Sequence, residues 1–551
     1  MQRYREIVVA FSRNGFGYFV RELGLHKITS LPKRLFEQGD KEVHNKTTGE
    51  RIRLFLEELG PTFIKLGQIA STRQDLIPKN IIEELEKLQD QVAPFSFSDV
   101  QEIIGRELQE PINAVFKSFD EHPIAAASIG QVHYGVLQSG QEVAVKIQRP
   151  NLEEKVHTDL EILMSIAKLA ESRLEWAKKY QLSAIIKEFS NSLIAELDYT
   201  LEGRNAHRIA QQFKKHEDVV VPDVYWNLTT EKVLTMEYIK GIKLDENKKL
   251  VREGYNPQLI AEKLIQKQFQ QILIDGFFHA DPHPGNVMIL PNHKILFMDF
   301  GMVGRLTSSM KDHLSSLIVA IMRQNTKSII KAIYRMGIVS ENVDADYMYA
   351  DIDDLRDKYY DIPFSQVSIG EAINDLFRVA TTHGIRIPTD LSLVGKSLLT
   401  LEGTVERLDP DISIVKIAEP FGKRLLKEKY QPKKVADEVY QQAEDYKDLI
   451  LDFPDHINHL YKVIRRGKLP LEISVSRVEA FLRKLDRISN RLSFSIVLLA
   501  FSIIMVGLII GSALAGESSY LWSLPVIEIG FVVAIGMFLW LLYSIFRSGR
   551  F

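Results

Sequence analysis

Apolar and polar positions along this chain alternate with two periods, and the change of period marks its organisation. The first twenty residues, MQRYREIVVAFSRNGFGYFV, read as an amphipathic helix with basic edges, either packed on the body of the protein or lying on a membrane surface. Residues 40–60 are charged and helical. In 61–78, Phe63, Ile64, Leu66 and Ile69 are apolar, Lys65 and Gln68 share a face, and Gly67 permits close approach by another backbone. The run Asp75-Leu76-Ile77-Pro78 ends that helix, and a second is expected over 79–92. Residues 112–149 change character. VHYGVL, a Ser139-Gly140 turn and EVAVKIQRP predict a hairpin. Residues 152–215 return to helical spacing, 219–242 give two strands, and 256–276 another helix. Val287 and Ile289, then Lys294, Ile295 and Leu296, alternate around Pro291-Asn292-His293 and predict a second hairpin. Residues 310–480 are mostly helical, with breaks near Gly337, Pro363, Gly384, Pro388 and Pro454, and no further site is read there.

Composition narrows the picture. A chain of 551 residues exceeds one compact core, so two or more domains are expected. The formal charge of −3 gives no hint of a nucleic-acid partner. The absence of cysteine rules out disulfides, thiolate catalysis and Cys-ligated zinc, and fits a reducing compartment. The N-terminus has no long apolar core and no small-residue cleavage site, so it is not a secretory signal. Near the other end, Leu492–Ala515 runs 24 residues without a charge. After the polar GESSY turn, Leu521–Phe546 is apolar apart from Pro525 and Glu528. Each stretch is long enough to cross about 30 Å of hydrocarbon. Arg483, Lys484, Arg487 and Arg491 precede the pair, Arg547 and Arg550 follow it, and the intervening loop has no Lys or Arg. This predicts a hairpin with both ends cytoplasmic, hence a two-span protein of the cell membrane with the remainder in the cytoplasm. Gly507-x-x-x-Gly511 reads either as a close-packing face, within the hairpin or in a homodimer, or as ordinary glycine usage.

The candidate chemistry lies in 277–301. Asp281 and Asn286 form D-x-x-x-x-N, and Asp299-Phe300-Gly301 follows after the hairpin, which would bring all three polar residues to one end of a β-ribbon. Two carboxylates and an amide oxygen are hard ligands, suited to Mg²⁺ carrying nucleotide phosphates. Protein kinases use such a set, with a catalytic-loop Asp and an Asn and DFG Asp on metal. Upstream, Val143-Ala144-Val145-Lys146 matches the kinase lysine strand, whereas the phosphate-covering G-x-G-x-x-G is replaced by Ala125-Ala126-Ala127-Ser128-Ile129-Gly130. Lys146 on an apolar strand needs a partner; Glu196, Asp198 and Glu202 are candidates, and either Glu196 or Glu202 should pair with it. Glu237 and Ile239 fall where an interlobe hinge would hold adenine. No A-P-E sequence follows Gly301, and GMVGRLTSSM is expected to run directly into a helix, which argues against peptide phosphorylation.

These marks together resemble the UbiB (aarF-domain) family of atypical kinases, in a bacterial form with a C-terminal transmembrane hairpin. They are Lys65-Leu66-Gly67-Gln68 (K-x-G-Q), the alanine-rich loop, the strand ending at Lys146, Glu196-Leu197-Asp198 with Glu202 and Asn205, HADPHPGN, DFG and the TLEGTVERLDP stretch. The resemblance implies an α+β, bilobal protein-kinase-like fold. The expected segments are a helical extension over 1–110, an N-lobe over 111–240, a C-lobe over 241–410, a helical linker over 411–490 and the transmembrane hairpin over 491–547. It implies that Lys65 projects into the active site, meets Glu196 and Asp198 and blocks peptides. Asp281 would act as the catalytic residue orienting water or a small hydroxyl. Asn286 and Asp299 would hold Mg²⁺, and the loop 125–130, Lys146, Glu237 and Ile239 would hold ATP or ADP. Expected partners are a polyprenyl quinone precursor or membrane lipid and quinone-biosynthetic enzymes. The implied role is an ATPase or small-molecule kinase in isoprenoid-quinone biosynthesis or lipid homeostasis; the other reading is a nucleotide-regulated lipid-binding scaffold with little turnover. An alanine-rich loop has fewer left-handed positions than a glycine-rich one, so a stiffer site with an altered ATP/ADP preference is expected.

Overall fold

The computed structural model describes residues 2–25, 46–73, 76–88, 93–322, 325–339, 345–360, 368–429 and scattered positions between 492 and 540. The chain divides into two compact units, Met1–Asp437 and Glu438–Phe551.

The first unit is built on an antiparallel sheet in which strands Phe116–Phe119, Gly130–Leu137, Glu142–Gln148 and Val233–Glu237 follow one another, with Ala125–Ala126 added to the second. Strand Glu142–Gln148 shows how alternation sets the site. Val143, Val145 and Ile147 are fully buried with Val100, Ile103 and Ile104 of helix Phe97–Leu108. Lys146 is therefore on the opposite face. There it stands in register between Val132 and Leu234, the latter in a core with Leu193, Leu197 and Tyr199.

Helix Pro61–Ser71 packs between neighbours through its glycine. A Cβ on Gly67 would lie 2.3 Å from Leu88 Cδ1 and 2.7 Å from Leu56 Cδ1. This helix ends before the expected Asp75–Pro78 stop, and the next covers Lys79–Leu85 only. The N-terminal helix Gln2–Phe11 is a packed one: Ile7, Val8 and Ala10 are buried, and Arg3 holds the fully buried Asp159 through Nε at 2.7 Å and Nη2 at 3.1 Å.

The second sheet runs Val219–Val220, Lys294–Phe297, Val287–Leu290, Ile242–Lys243. Its hairpin has the expected register, Lys294 opposite Leu290 through Phe297 opposite Val287. Asn292 and His293 take φ of 64° and 55° at the turn, a conformation that Asn tolerates best among residues with a Cβ. The two strands expected in 219–242 part company: Val219–Val220 pairs in parallel with Lys294–Phe297, while Val233–Glu237 joins the first sheet. The segment after Gly301 does not enter a helix at once. Strand Val303–Arg305 first pairs antiparallel with Phe277–His279, and helix Ser308–Met322 follows. A further ladder, Ile338–Val339 with Ile385–Arg386, falls where the sequence shows only breaks between helices, since two-residue strands leave no periodic signal.

The second unit requires a correction. Among the described residues no helix is long and apolar enough to cross a membrane. A span needs about 20 consecutive apolar helical residues, and no described helix supplies them, so the expected two-span placement in the cell membrane is overturned. The stretches Leu492–Ala515 and Leu521–Phe546 fall largely outside the described residues, as does Gly511. The positions described there are helical with exposed apolar side chains, among them Leu492, Ile496, Leu499 and Ile503.

Candidate nucleotide site

The catalytic loop is held by buried polar groups from one helix. In Pro257–Phe269 and its wider continuation Gln270–Asp275, Gln268 and Gln271 are fully buried among apolar neighbours. Gln271 Oε1 accepts from His279 N at 2.8 Å, and Gln268 Nε2 donates to His279 O at 2.8 Å. His279, itself fully buried, joins the two halves of the motif. Its Nδ1 accepts from Asp281 N at 3.2 Å and its Nε2 donates to Met298 O at 2.9 Å, partners that orient the ring. The hairpin does the rest: Met298 N donates to Asn286 O at 2.9 Å, one residue before Asp299, and Asn286 Nδ2 donates to Asp281 O at 3.2 Å. Asp281, Asn286 and Asp299 are thereby gathered at one end of the ribbon.

Asp299 has a φ of 53°, a left-handed conformation uncommon for a residue with a Cβ and frequent where backbone is strained for function. Asn205 Nδ2 donates to the carbonyl of the next residue, Phe300, at 3.0 Å. The Asp299 carboxyl is open to the cleft and is held down at about 2, mainly by the Lys146 ammonium and then by Lys65, against the opposing effect of desolvation. It remains a full negative charge at any physiological pH.

Lys146 is paired with Glu202 at 3.0 and 2.8 Å, which decides between the two glutamates left open by the sequence. Burial would lower the lysine, yet Glu202 and Asp299 hold it well above its ordinary value. Tyr199, fully buried, lies beneath it with the ammonium 5.1 Å from the ring centroid. Glu196 and Glu202 are on successive helices, Leu182–Glu196 and Tyr199–Gln212. Glu196 lies 3.1 Å from Lys65. Asp198 takes another task, capping the second helix by accepting from Thr200 N at 2.9 Å and standing 3.6 Å from Arg204. Gln68, the last residue of K-x-G-Q, donates to Leu88 O at 3.1 Å and fastens the helix that carries Lys65.

Of the loop candidates, Ala125 is exposed, Ala126 and Ala127 are half-buried, and Ser128, Ile129 and Gly130 are buried. Ala127 N donates to Gly130 O at 2.8 Å, a tight turn. Gly130 leaves no room for a side chain without displacement, because a Cβ there would fall 2.5 Å from Ile147 O and 2.3 Å from the Tyr199 hydroxyl. At the hinge, Glu237 N donates to Asp223 O at 2.8 Å and Tyr238 N to Glu142 O at 3.0 Å; Ile239 follows, half-buried. Sequence reasoning passed over Gln268, Gln271, Tyr199 and Lys396. The two glutamines could have been found as polar interruptions of an apolar helix face; Lys396 carries no such signal in an amphipathic helix.

Among the described residues no cluster of three or more His, Cys, Asp or Glu is placed to hold a metal ion. The available donors are Asn286 and the ionised Asp299 carboxylate, both hard oxygen ligands and few enough that phosphate and water must complete the shell. That donor set fits Mg²⁺, which is commonly bound by one or two protein oxygens plus substrate phosphates.

A sheet carrying a Lys–Glu pair, facing a loop and a DFG hairpin over a helical layer, defines a kinase-like protein. Comparison with known proteins agrees. The ABC1 atypical kinase-like domain matches residues 87–333, the UbiB helical domain 352–413, and the ABC1/UbiB kinase-like C-terminal domain 476–547. A Clostridium pasteurianum protein named for the hydrogenase 1 5′ region is 34% identical over 99% of both chains. A Xanthomonas campestris protein called "Probable protein kinase UbiB" is 33% identical over 87% of this chain and 88% of its own. The chloroplastic Arabidopsis thaliana protein "ACTIVITY OF BC1 COMPLEX KINASE 7" is 34% identical over 82% of this chain and 66% of its own. The chain belongs to the UbiB/ABC1 family of atypical kinases.

Proposed function

We propose that this protein binds a magnesium nucleotide, ATP or ADP, between strand Glu142–Gln148 and the catalytic loop, and transfers a phosphoryl group to water or a small hydroxyl compound rather than to proteins. The observation that carries the reading is geometric: Lys146 on its strand meets both oxygens of Glu202 at 3.0 and 2.8 Å, and the hairpin gathers Asp281, Asn286 and Asp299 through Met298 N to Asn286 O at 2.9 Å and Asn286 Nδ2 to Asp281 O at 3.2 Å. Asn286 and Asp299 would hold Mg²⁺, which neutralises phosphate charge when bound. Lys146, oriented by Glu202, would hold the α- and β-phosphates; the segment Ala125–Gly130 would cover them; the Glu237 carbonyl and Ile239 amide would meet the adenine edge. Asp281 orients the acceptor and receives its proton.

A small acceptor is favoured because Lys65 and its helix already reach the cleft, paired with Glu196. The ladder of Val303–Arg305 on Phe277–His279 also leaves little free chain after the DFG for a peptide platform. The names of the relatives, UbiB and activity of bc1 complex kinase, support a place in quinone biosynthesis, and membrane lipid homeostasis is the other role that the family resemblance implies. A polyprenyl quinone precursor or a lipid would then be the ligand, and quinone-biosynthetic enzymes the protein partners. In this reading 1–110 is a helical extension carrying K-x-G-Q, and the lobes run 111–240 and 241–410. The Lys65–Glu196 contact also favours a second reading, a nucleotide-regulated scaffold in which hydrolysis is slow.

The test is nucleotide binding and ATP hydrolysis by the purified protein, with and without soluble quinone-headgroup analogues, against Asp299→Asn. Magnesium-dependent binding lost in the variant is expected; wild-type protein that binds neither ATP nor ADP would end the proposal. Asp281→Asn separates the two readings: if it stops hydrolysis, keeps binding and still sustains quinone levels in cells, the scaffold reading stands.

A further inference from the structure

Helix Thr389–Glu406 lies within the segment matched by the UbiB helical domain. It is fastened along the catalytic loop. Ser397 Oγ donates to His279 O at 3.2 Å, Gln268 Nε2 donates to Ser397 Oγ at 2.6 Å, and Thr404 Oγ1 donates to Pro282 O at 3.3 Å. Its first residue, Thr389, shares the Glu188 carboxylate with Arg73, which ties the same helix to the end of the K-x-G-Q helix. This places Lys396, beside Ser397, over the reacting end of the loop.

The Lys396 side chain is 16% exposed, and its ammonium stands 3.7 Å from Asp281 Oδ2 and 3.4 Å from Met302 Sδ. An ammonium carries three donors, and a thioether is a weak acceptor. Among the described residues the nearest carboxylate is therefore at Coulombic rather than hydrogen-bonding range. Glu86, which ends helix Lys79–Leu85, adds a second carboxyl whose field reaches both Lys396 and Asp281. The catalytic loop presents no cation of its own at this point: His283 is exposed and turned into the loop, accepting from Gly285 N at 3.2 Å.

The cleft thus has its cations in two places. Lys146 and Lys65 act on Asp299, where the nucleotide would end, and Lys396 faces Asp281, where the acceptor would stand. A phosphoryl group in flight spreads charge over three oxygens between those points. We infer that Lys396 is a catalytic residue contributed by the C-terminal helix, one that contacts the phosphoryl group as it passes from nucleotide to acceptor. This rests on the phosphoryl-transfer reading above. In the step, the bond between the γ-phosphorus and the β,γ-bridging oxygen breaks and its electron pair leaves with ADP. The acceptor oxygen forms the new bond to phosphorus and its proton passes to the Asp281 carboxylate and then to solvent. Lys396 takes no part in the proton transfer; it supplies charge and N–H donors held in place before the step.

The alternative is that Lys396 merely pins the helix to the loop, and the experiment separates the two. Full-length wild type, Lys396→Met and Lys396→Arg are compared for kcat and KM in ATP turnover, for melting temperature, and for affinity towards Mg-ADP with and without aluminium fluoride, a mimic of the transferring phosphoryl group. Expected in Lys396→Met are a fall in kcat of about 10²-fold, a KM for ATP within about threefold, and loss of most of the tightening that aluminium fluoride gives to ADP. Lys396→Arg should recover about tenfold of the lost rate, and melting temperatures should stay within a few degrees. The inference is overturned if Lys396→Met keeps kcat within about threefold, if ADP alone weakens as much as ADP with aluminium fluoride, or if the rate loss follows a fall in melting temperature and Arg does not restore it. Wild-type protein that binds no nucleotide, or binds without turnover, sinks the phosphoryl-transfer reading together with this one. A wild type that turns over beside an unimpaired Lys396→Met removes Lys396 alone.

Discussion

Two lysines from distant parts of the chain act on one carboxylate, and they are held differently. Lys146 projects from the middle of a sheet and meets both oxygens of Glu202, 3.0 and 2.8 Å away, with side chains 15% and 7% exposed. Lys65 projects from a helix and stands 3.1 Å from Glu196 Oε2, which among the described residues makes no well-angled hydrogen bond. The first pair is bidentate, walled by Tyr199 and set by strand register. The second depends on how the helix Pro61–Ser71 packs. The difference is one of engagement: strand register sets both oxygens in the first pair, and helix packing sets one oxygen in the second, at similar burial.

Breaking the first pair should have the largest effect. Lys146→Met leaves Glu202 buried without its cation, which costs about 3–5 kcal/mol of stability, and removes the phosphate contact, so turnover should fall by at least about 10²-fold. Adding Glu202→Leu should restore much of the stability, as read by urea unfolding, and none of the activity. A double variant that regains turnover would show that the pair is structural only. The second pair is buried almost as deeply, with side chains 16% and 11% exposed, but engages one carboxylate oxygen rather than two, so the expected loss is somewhat smaller, about 2–3 kcal/mol. Lys65→Met should unfold at a lower urea concentration than wild type yet still bind Mg-ATP in a filter or fluorescence assay. If it destabilises as strongly as Lys146→Met, the contrast between the two regions is false.

For each lysine, a glycine on its own element or on the strand paired with it sharpens the same contrast. A methyl on Gly130 would meet the Ile147 carbonyl at 2.5 Å, backbone that cannot turn away. On Gly67 it would meet the tips of Leu88 and Leu56, which can rotate. Gly130→Ala should therefore cost about 2–3 kcal/mol and Gly67→Ala about 1 kcal/mol. Equal melting-temperature losses would mean that the helical side is as rigid as the sheet.

Legibility followed the same division. The hairpin and its motif could be read because alternation, a Pro-Asn turn and fixed spacing are local, and Asn286 and Asp299 are set by one ribbon. The lysine strand was legible for the same reason. What failed was long-range. Whether Glu196 or Glu202 meets Lys146 depends on where two successive helices turn between them, at Leu197–Asp198, and spacing alone does not fix that. Asp198 read as an active-site acid because its type fits, while its position before Tyr199–Gln212 made it a cap. Lys396 lies 115 residues beyond Asp281, so only the folded chain brings them together. The expected membrane spans rested on composition, and no described helix supplies one.

The smallest effect is a titration. The Asp299 carboxyl sits at about 2, with Lys146 the larger influence and Lys65 the lesser. Its folded value lies below the unfolded one, about 3.9. The group's contribution to stability is therefore complete above pH ~4 and is lost as pH falls towards 2. Removing a cation raises the folded value and shrinks that contribution, so the sign is fixed: both lysine variants move Asp299 upwards. Carboxyl-carbon NMR on aspartate-labelled protein should show the larger upward shift in Lys146→Met and the smaller in Lys65→Met, with Lys396→Met leaving Asp299 close to the wild type because its ammonium faces Asp281. Reversed order would make the helix-borne lysine the main partner of Asp299.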